Sequence, residues 1–155
     1  MKVCLISPPY NSAVKSVVGV SSPPLGLAYI ASVLRQSHEV KIIDSNILNY
    51  TIGDVERELR SFNPDVVGIT SVTPSIYEAY KVAETAKKVR EDCTVVLGGP
   101  HATFMPRQTM EECKYIDIII RSGFTASINS GAGGLPGPPG PIIGRFRNDS
   151  PYAIA

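Results

Sequence analysis

Asp65-Val66-Val67-Gly68-Ile69-Thr70-Ser71-Val72-Thr73-Pro74-Ser75 decides the fold, because three kinds of sequence follow one another in eleven residues. Asp65 to Thr70 is almost continuously apolar and β-branched, as in a strand covered on both faces of a parallel sheet. Four hydroxyls then fall in six positions, Thr70 to Ser75, where a strand must turn. Thr73 followed by Pro74 reads as an N-cap with proline at the first helical position, where a missing N–H costs nothing. Ile76, Ala79, Tyr80, Ala83 and Ala86 then supply the buried stripe of a helix, with Lys81, Glu84, Lys87 and Lys88 facing water.

The same unit recurs on both sides. Lys2 to Ser7, Val40 to Asp44, Thr94 to Gly98 and Ile116 to Ile120 are the other short apolar runs. Pro24 opens a helix whose Leu27, Ile30, Ala31 and Leu34 share a face. Thr51 and Asp54 have capping-box spacing, and Val55, Leu59 and Phe62 follow at i, i+4 and i+7. A short fourth helix near Pro106 carries Met110 and Cys113 inward. Strand and helix alternate throughout, so right-handed crossovers are required. The expected fold is an α/β, doubly wound sheet of five parallel strands in the order 2-1-3-4-5. Ligands of such sheets bind beyond the carboxyl ends of the strands, which directs attention to the loops after Ser7, Thr70, Gly98 and Ile120.

The chain changes character after Arg121. Residues 1–121 hold six Gly and eight Pro, whereas residues 122–155 hold seven Gly and five Pro in less than a third of that length. Such a tail has too little apolar surface to offset the entropy of ordering it, so a disordered Gly/Pro-rich tail over 122–155 is expected beside a folded unit over 1–121. Lys plus Arg is 15 against 14 Asp plus Glu, a net charge of +1 that gives no electrostatic case for nucleic acid or an anionic membrane. No apolar run approaches the roughly 18 residues of a membrane span. Cys4, Cys93 and Cys113 cannot pair completely and lack metal-site spacing, which points to reduced thiols and a cytoplasmic protein.

Several tenants of this architecture are excluded by residue type. The first loop, Ser7-Pro8-Pro9-Tyr10-Asn11-Ser12, has neither the glycines of a dinucleotide fingerprint nor a phosphate loop for a flavin nucleotide. Its prolines remove N–H donors. A phosphoacceptor receiver needs acidic residues in that loop and an aspartate ending the third strand, where Thr70 stands. What the loops do offer is an alcohol-rich wall at Thr70, Ser71 and Thr73, and paired glycines at Gly98-Gly99. Capping and turn chemistry alone would also use these residues. Taken together, the adjacent loops outline a slot for a planar, weakly polar group, with glycine letting it approach bare backbone.

Ser22-Pro23-Pro24-Leu25-Gly26-Leu27-Ala28-Tyr29-Ile30-Ala31-Ser32-Val33-Leu34-Arg35, the Asp65–Ser75 stretch and Val96-Leu97-Gly98-Gly99-Pro100-His101-Ala102-Thr103 resemble, in this order, the N-terminal cobalamin-binding domain of class B radical S-adenosylmethionine enzymes. Pro8-Pro9 and the closing Asp117–Arg121 fit too, so the likeness spans about 120 residues. It implies a flavodoxin-like fold that binds cobalamin, a corrinoid, with its dimethylbenzimidazole tail detached from cobalt. On that likeness Thr70, Ser71 and Thr73 would hydrogen-bond along the tail. Gly98 and Gly99 would floor the slot, and Pro100 and His101 would shape its rim. Pro8, Pro9, Tyr10, Pro24, Leu25 and Gly26 would approach the corrin.

Two departures qualify the resemblance. Cobalamin domains of the methionine synthase type place a cobalt-ligating histidine in the first loop. Here the histidines are His38 and His101, and neither lies there. Base-off binding without histidine ligation is therefore expected, with no metal-ligating residue from this chain. The catalytic domain of the family brings C-x-x-x-C-x-x-C for an iron–sulfur cluster, a spacing these three cysteines do not have. Arg121-Ser122-Gly123-Phe124-Thr125 also replaces the usual Arg-Gly-Glu-Gly-Glu, which suggests a truncated or rearranged reading frame. The expected function is a cofactor carrier without catalytic residues of its own, served by a radical S-adenosylmethionine domain on another chain. The alternatives are a degenerate fragment that binds nothing, a ligand-sensing interaction domain, and an autonomous enzyme using Asp44, His101 and Arg121.

Overall fold

The computed structural model describes residues 1–10, 24–121 and 142–144. Within them, strand β1 (Lys2–Ser7) leads to helix α1 (Leu25–Leu34), β2 (Glu39–Asp44), α2 (Ile52–Phe62), β3 (Val66–Thr70) and α3 (Ile76–Val89). Then come β4 (Thr94–Gly98), the short helices α4 (Pro100–Phe104) and α5 (Pro106–Glu112), β5 (Ile118–Ile120) and β6 (Ile142–Gly144). The sheet order is β2-β1-β3-β4-β5-β6. The first five strands are parallel, in the expected flavodoxin-like order. The sixth runs antiparallel to β5, with Ile120 opposite Ile142. Sequence reading did not assign β6, since two isoleucines among glycines and prolines carry no period. The rest of the expected disordered tail lies outside the described residues.

Strand alternation sends Cys4, Ile6, Val67, Ile69, Val95, Leu97 and Ile119 to one face of the sheet. There they meet Val55 and Leu59 of α2 and Ala79, Val82, Ala83 and Ala86 of α3. Each large aliphatic side chain buried in this way contributes roughly 1.5–3 kcal/mol, so this face carries most of the stability. The other face is thinner: Val3 and Leu5 meet Leu27 and Ala31 of α1, with Leu34, Val40 and Val66 at the margin. Ile30, expected on the buried side, is 50% exposed, and Leu25, Tyr29 and Val33 are exposed as well. Only a narrow stripe of α1 is covered.

Local signals explain most element ends. Thr51 Oγ1 accepts the Asp54 N–H at 3.3 Å while the Asp54 carboxylate accepts the Thr51 N–H at 2.8 Å, so the capping box forms. These bonds from Thr51 hold the Asp54 carboxyl below its ordinary range. Thr51→Ala should cost about 1 kcal/mol and lower the melting temperature by roughly 5 °C; an unchanged melt would mean that the box adds nothing. At the amino edge, Asp65 accepts the Lys2 backbone N–H and pairs with Arg90, each at 2.7 Å, which ties β1 to β3 and lowers its pKa.

The proline signals at 74 and 100 were read less well. Thr73–Ser75 is a turn of 3-10 helix, and α3 starts only at Ile76. Ser75, not Thr73, closes this turn: its Oγ accepts the Val72 N–H at 3.1 Å. Lys87, expected in water, is drawn in to pair with Asp117 at 2.7 Å. Pro100 opens a helical turn where only a loop was expected, and the helix at Pro106 is a second one behind it. All three cysteines are buried and none is in a disulfide, and burial pushes the Cys4 thiol up to about 12. None of the helices among the described residues is long and apolar enough to cross a membrane.

Candidate functional site

Right-handed crossovers leave the loops after β1, β2, β3 and β4 together at the carboxyl edge of the sheet. Asn46 ties down the start of the first loop, from Ser7 to Tyr10. Asn46 Nδ2 donates to Ser7 Oγ at 3.2 Å and to the Pro8 carbonyl at 3.1 Å, and its Oδ1 accepts the Tyr10 N–H at 2.9 Å. Asp44 in turn fixes Asn46, since its Oδ1 accepts the Asn46 N–H at 3.1 Å. Asp44, named above among the candidates of an autonomous enzyme, thus has a capping role, and sequence reading missed Asn46. An Asp-x-Asn ending the second strand was the available signal.

The loop after β3 is stitched to the loop after β4. The Ser71 N–H donates to the Gly98 carbonyl at 3.1 Å, and the His101 N–H donates to the Ser71 carbonyl at 3.3 Å. Thr70 lies opposite Gly98 in the register of the two strands. Between these loops and the first one is a crevice of about 120 Å³, lined by Ser7, Pro8, Tyr10, Thr70, Ser71 and Val72 among others. A cavity of roughly 150 Å³ takes up one benzene ring, so the crevice is sized for a single ring. A larger planar group would have to extend beyond it. On the far side of Tyr10 and Asn46 opens a wider recess of about 530 Å³ toward Thr51 and Glu78.

The two glycines differ. At Gly98 an added Cβ would meet nothing closer than the Ile120 carbonyl, at an ordinary contact distance of 3.8 Å, so there is room for a side chain there. At Gly99 φ is +97°, and a Cβ would fall 2.6 Å from Ser71 O, 2.8 Å from Ser71 N and 3.0 Å from Thr70 Oγ1. Gly99 is glycine because the neighbouring loop occupies its side-chain space. The expected two-glycine floor is therefore a floor of one residue, with Gly99 serving as its hinge to the β3 loop.

His101 also differs from expectation. It is 5% exposed, not a rim residue, because Pro100 starts α4 and turns the next side chain inward. Its Nδ1 lies 3.2 Å from Thr73 Oγ1, while Nε2 is buried without a partner. Thr73 is accordingly engaged with protein and does not line the crevice. Pro100 is exposed, as are Leu25 and Gly26 at the head of α1, where nothing lies within 4 Å of a Cβ built on Gly26. Pro9 lines the wider recess, and Pro24 receives the first α1 bonds. The structure thus gathers Pro8, Tyr10, Thr70 and Ser71 at the crevice with Gly98 adjoining, and puts Thr73, Gly99 and His101 behind it as scaffold.

Chemically, the crevice offers hydroxyls and proline and tyrosine side chains, with Gly98 opposite Thr70 in the strand register. No group of His, Cys, Asp and Glu among the described residues is arranged to hold a metal ion. Asp44, His101 and Arg121 do not form a base–nucleophile set: Asp44 caps a turn, His101 is buried against Thr73, and Arg121 Nε donates to the Thr103 carbonyl at 3.2 Å. The arrangement can hold a flat heteroaromatic group without reacting with it.

Comparison with known proteins points the same way. Residues 11–127 match the B12 binding domain family. An uncharacterized methyltransferase of Pyrococcus horikoshii is 50% identical over 121 residues, covering 78% of this chain and 26% of the relative. An anaerobic magnesium-protoporphyrin IX monomethyl ester cyclase of Rubrivivax gelatinosus is 36% identical over 123 residues, 78% of this chain and 22% of the relative. The chain thus spans about a quarter of the length of these relatives. Among solved structures, the cobalamin-dependent S-adenosylmethionine radical enzyme OxsB with aqua-cobalamin and S-adenosylmethionine bound superposes with a TM-score of 0.66 at 18% identity. It covers 83% of this chain and 18% of that one, and shows the shared fold.

Proposed function

The chain belongs to the B12-binding domain family, and we propose that it is a cofactor carrier holding cobalamin base-off, with the dimethylbenzimidazole tail entering the crevice at β3 and extending beyond it, and no histidine on cobalt. The observation that carries this reading is the open backbone of Gly98 beside the hydroxyls of Thr70 and Ser71. A planar tail needs a surface free of side chains and a few weak hydrogen-bond partners, and this edge has both. Neutral hydroxyls also suit an uncharged benzimidazole better than a charged wall would.

The histidines support the second half. His38 follows α1 and its N–H bonds to the Leu34 carbonyl, at the end of the sheet away from the crevice. His101 is buried against Thr73. The first loop, gripped by Asn46, presents prolines and Tyr10 where related cofactor domains present an imidazole. Pro8, Tyr10, Thr70, Ser71 and Gly98 would hold the tail. Pro9, Pro24, Leu25, Gly26 and Pro100 would border the corrin, while Thr73, Gly99 and His101 keep the two loops in place.

Bound cobalamin supplies a cobalt centre that exchanges a methyl group or supports radical chemistry. This chain's residues bind and orient; it spans about a quarter of the relatives named as a methyltransferase and a cyclase, and the reaction would belong to a radical S-adenosylmethionine domain, as the sequence resemblance implies. An absorbance spectrum of the cobalamin-loaded chain tests the axial assignment. His101→Ala should give the same spectrum as the parent, with affinity lowered only a few-fold through the loosened Thr73 turn. A spectral change showing loss of a cobalt ligand would contradict it. A cooperative melt with no spectral change on adding cobalamin to the parent would instead favour a folded fragment that binds nothing.

A further inference from the structure

We infer that Arg121 is the phosphate-recognising residue of the site, fixing the phosphodiester of the cobalamin nucleotide tail; this rests on the cobalamin reading above. Among the described residues most lysines and arginines pair with carboxylates: Lys2, Lys41, Arg57, Arg60, Lys81, Lys87, Lys88 and Arg90 all do. Arg35 and Lys114 do not, but they precede β2 and β5 and so stand at the amino edge, away from the site. Arg107 lies on α5 and is exposed. Arg121 alone among these is half-buried at the carboxyl edge, one residue past the end of β5.

Its neighbours give it direction. Ile120, the residue before it, supplies the carbonyl 3.8 Å from a Cβ built on Gly98, so Arg121 directly follows the residue beside that glycine. Nε donates to the Thr103 carbonyl at 3.2 Å, and Thr103 Oγ1 donates to the Gly99 carbonyl at 2.8 Å. The guanidinium is thereby attached to α4, whose N-cap is Gly99. This bond uses one of five donors, and no described carboxylate neutralises the group. A half-buried, uncompensated guanidinium is matched by an oxyanion able to take two parallel N–H bonds. Cobalamin carries one such group, the phosphodiester joining its base to the corrin side chain. The crevice, too small for more than one ring, leaves the rest of the tail to cross the Gly98 surface toward Arg121.

The test uses three probes on the full chain: hydroxocobalamin, cobinamide phosphate, which keeps phosphate but lacks the base, and cobinamide, which lacks both. Arg121→Gln should weaken hydroxocobalamin and cobinamide phosphate about tenfold and change cobinamide less than twofold. Arg121→Lys, which keeps the charge but not the two parallel N–H bonds, should restore only part of the difference and guards against a folding defect in the glutamine variant. An equal loss for all three probes would assign Arg121 a purely structural role at Thr103 and overturn the inference, as would no loss for any. If the unaltered chain binds none of the probes, the cobalamin reading fails and takes this inference with it; that outcome is distinct from binding that ignores Arg121.

Discussion

Replacing Gly99 by alanine is expected to destabilise the domain by about 3 kcal/mol or more, and so to lower its melting temperature on the order of 10 °C. Two costs coincide. With φ at +97° and ψ at 178° the residue sits in a backbone region that is essentially reserved for glycine. The new methyl would also press on backbone atoms of Ser71 at 2.6 and 2.8 Å, which cannot swing aside as a side chain end would. Relief requires the β3 and β4 loops to separate, breaking the bonds from Ser71 to Gly98 and from His101 to Ser71. Thermal melts of parent and variant measure this directly. A loss under about 1 kcal/mol, the ordinary cost of a surface change, would show that the two loops are not locked together as described.

Gly98→Val should behave in the opposite way. The nearest atom to its Cβ is 3.8 Å off, and β-branched side chains suit strands, so stability should stay within about 1 kcal/mol of the parent. Cobalamin affinity should nevertheless fall more than tenfold, because isopropyl now stands on the surface that the tail needs. Titration by absorbance together with a melt reads both quantities. Retained affinity would remove Gly98 from the site, whereas a large loss of stability would mean that the apparent space is not real. The pair of variants separates a glycine required by the fold from one required by a ligand.

Sequence could not have made that distinction. Gly98 and Gly99 read alike along the chain, and only the position of the Ser71 backbone tells them apart. Where signals were local, they were legible: the Thr51–Asp54 box, the apolar runs that became β1 to β5, and the covered stripe of α3 all follow from spacing. Crossover handedness narrowed the strand order to a few doubly wound arrangements, of which the expected 2-1-3-4-5 is the one observed for the five parallel strands. Signals that depend on a partner far along the chain were misread. Thr73 had cap spacing but is engaged by His101, 28 residues on. His101 follows two glycines and a proline and so looked like a loop residue, yet the proline starts a helical turn that buries it. Asn46 acts on residues at the carboxyl end of β1, 36 to 39 positions back along the chain, and its local Asp-x-Asn signal does not name those partners. Of the candidate site, the crevice wall at Thr70 and Ser71 was visible beforehand; the division between lining and scaffold was not.

The most direct measurement is the electron paramagnetic resonance spectrum of cob(II)alamin bound to the unaltered chain, where an axial nitrogen splits the cobalt lines into triplets. A bound signal without nitrogen splitting is what the arrangement of Gly98, Thr70, Ser71 and a histidine-free first loop predicts. Nitrogen triplets in the bound cofactor, whether from a tail still on cobalt or from an imidazole, would contradict it.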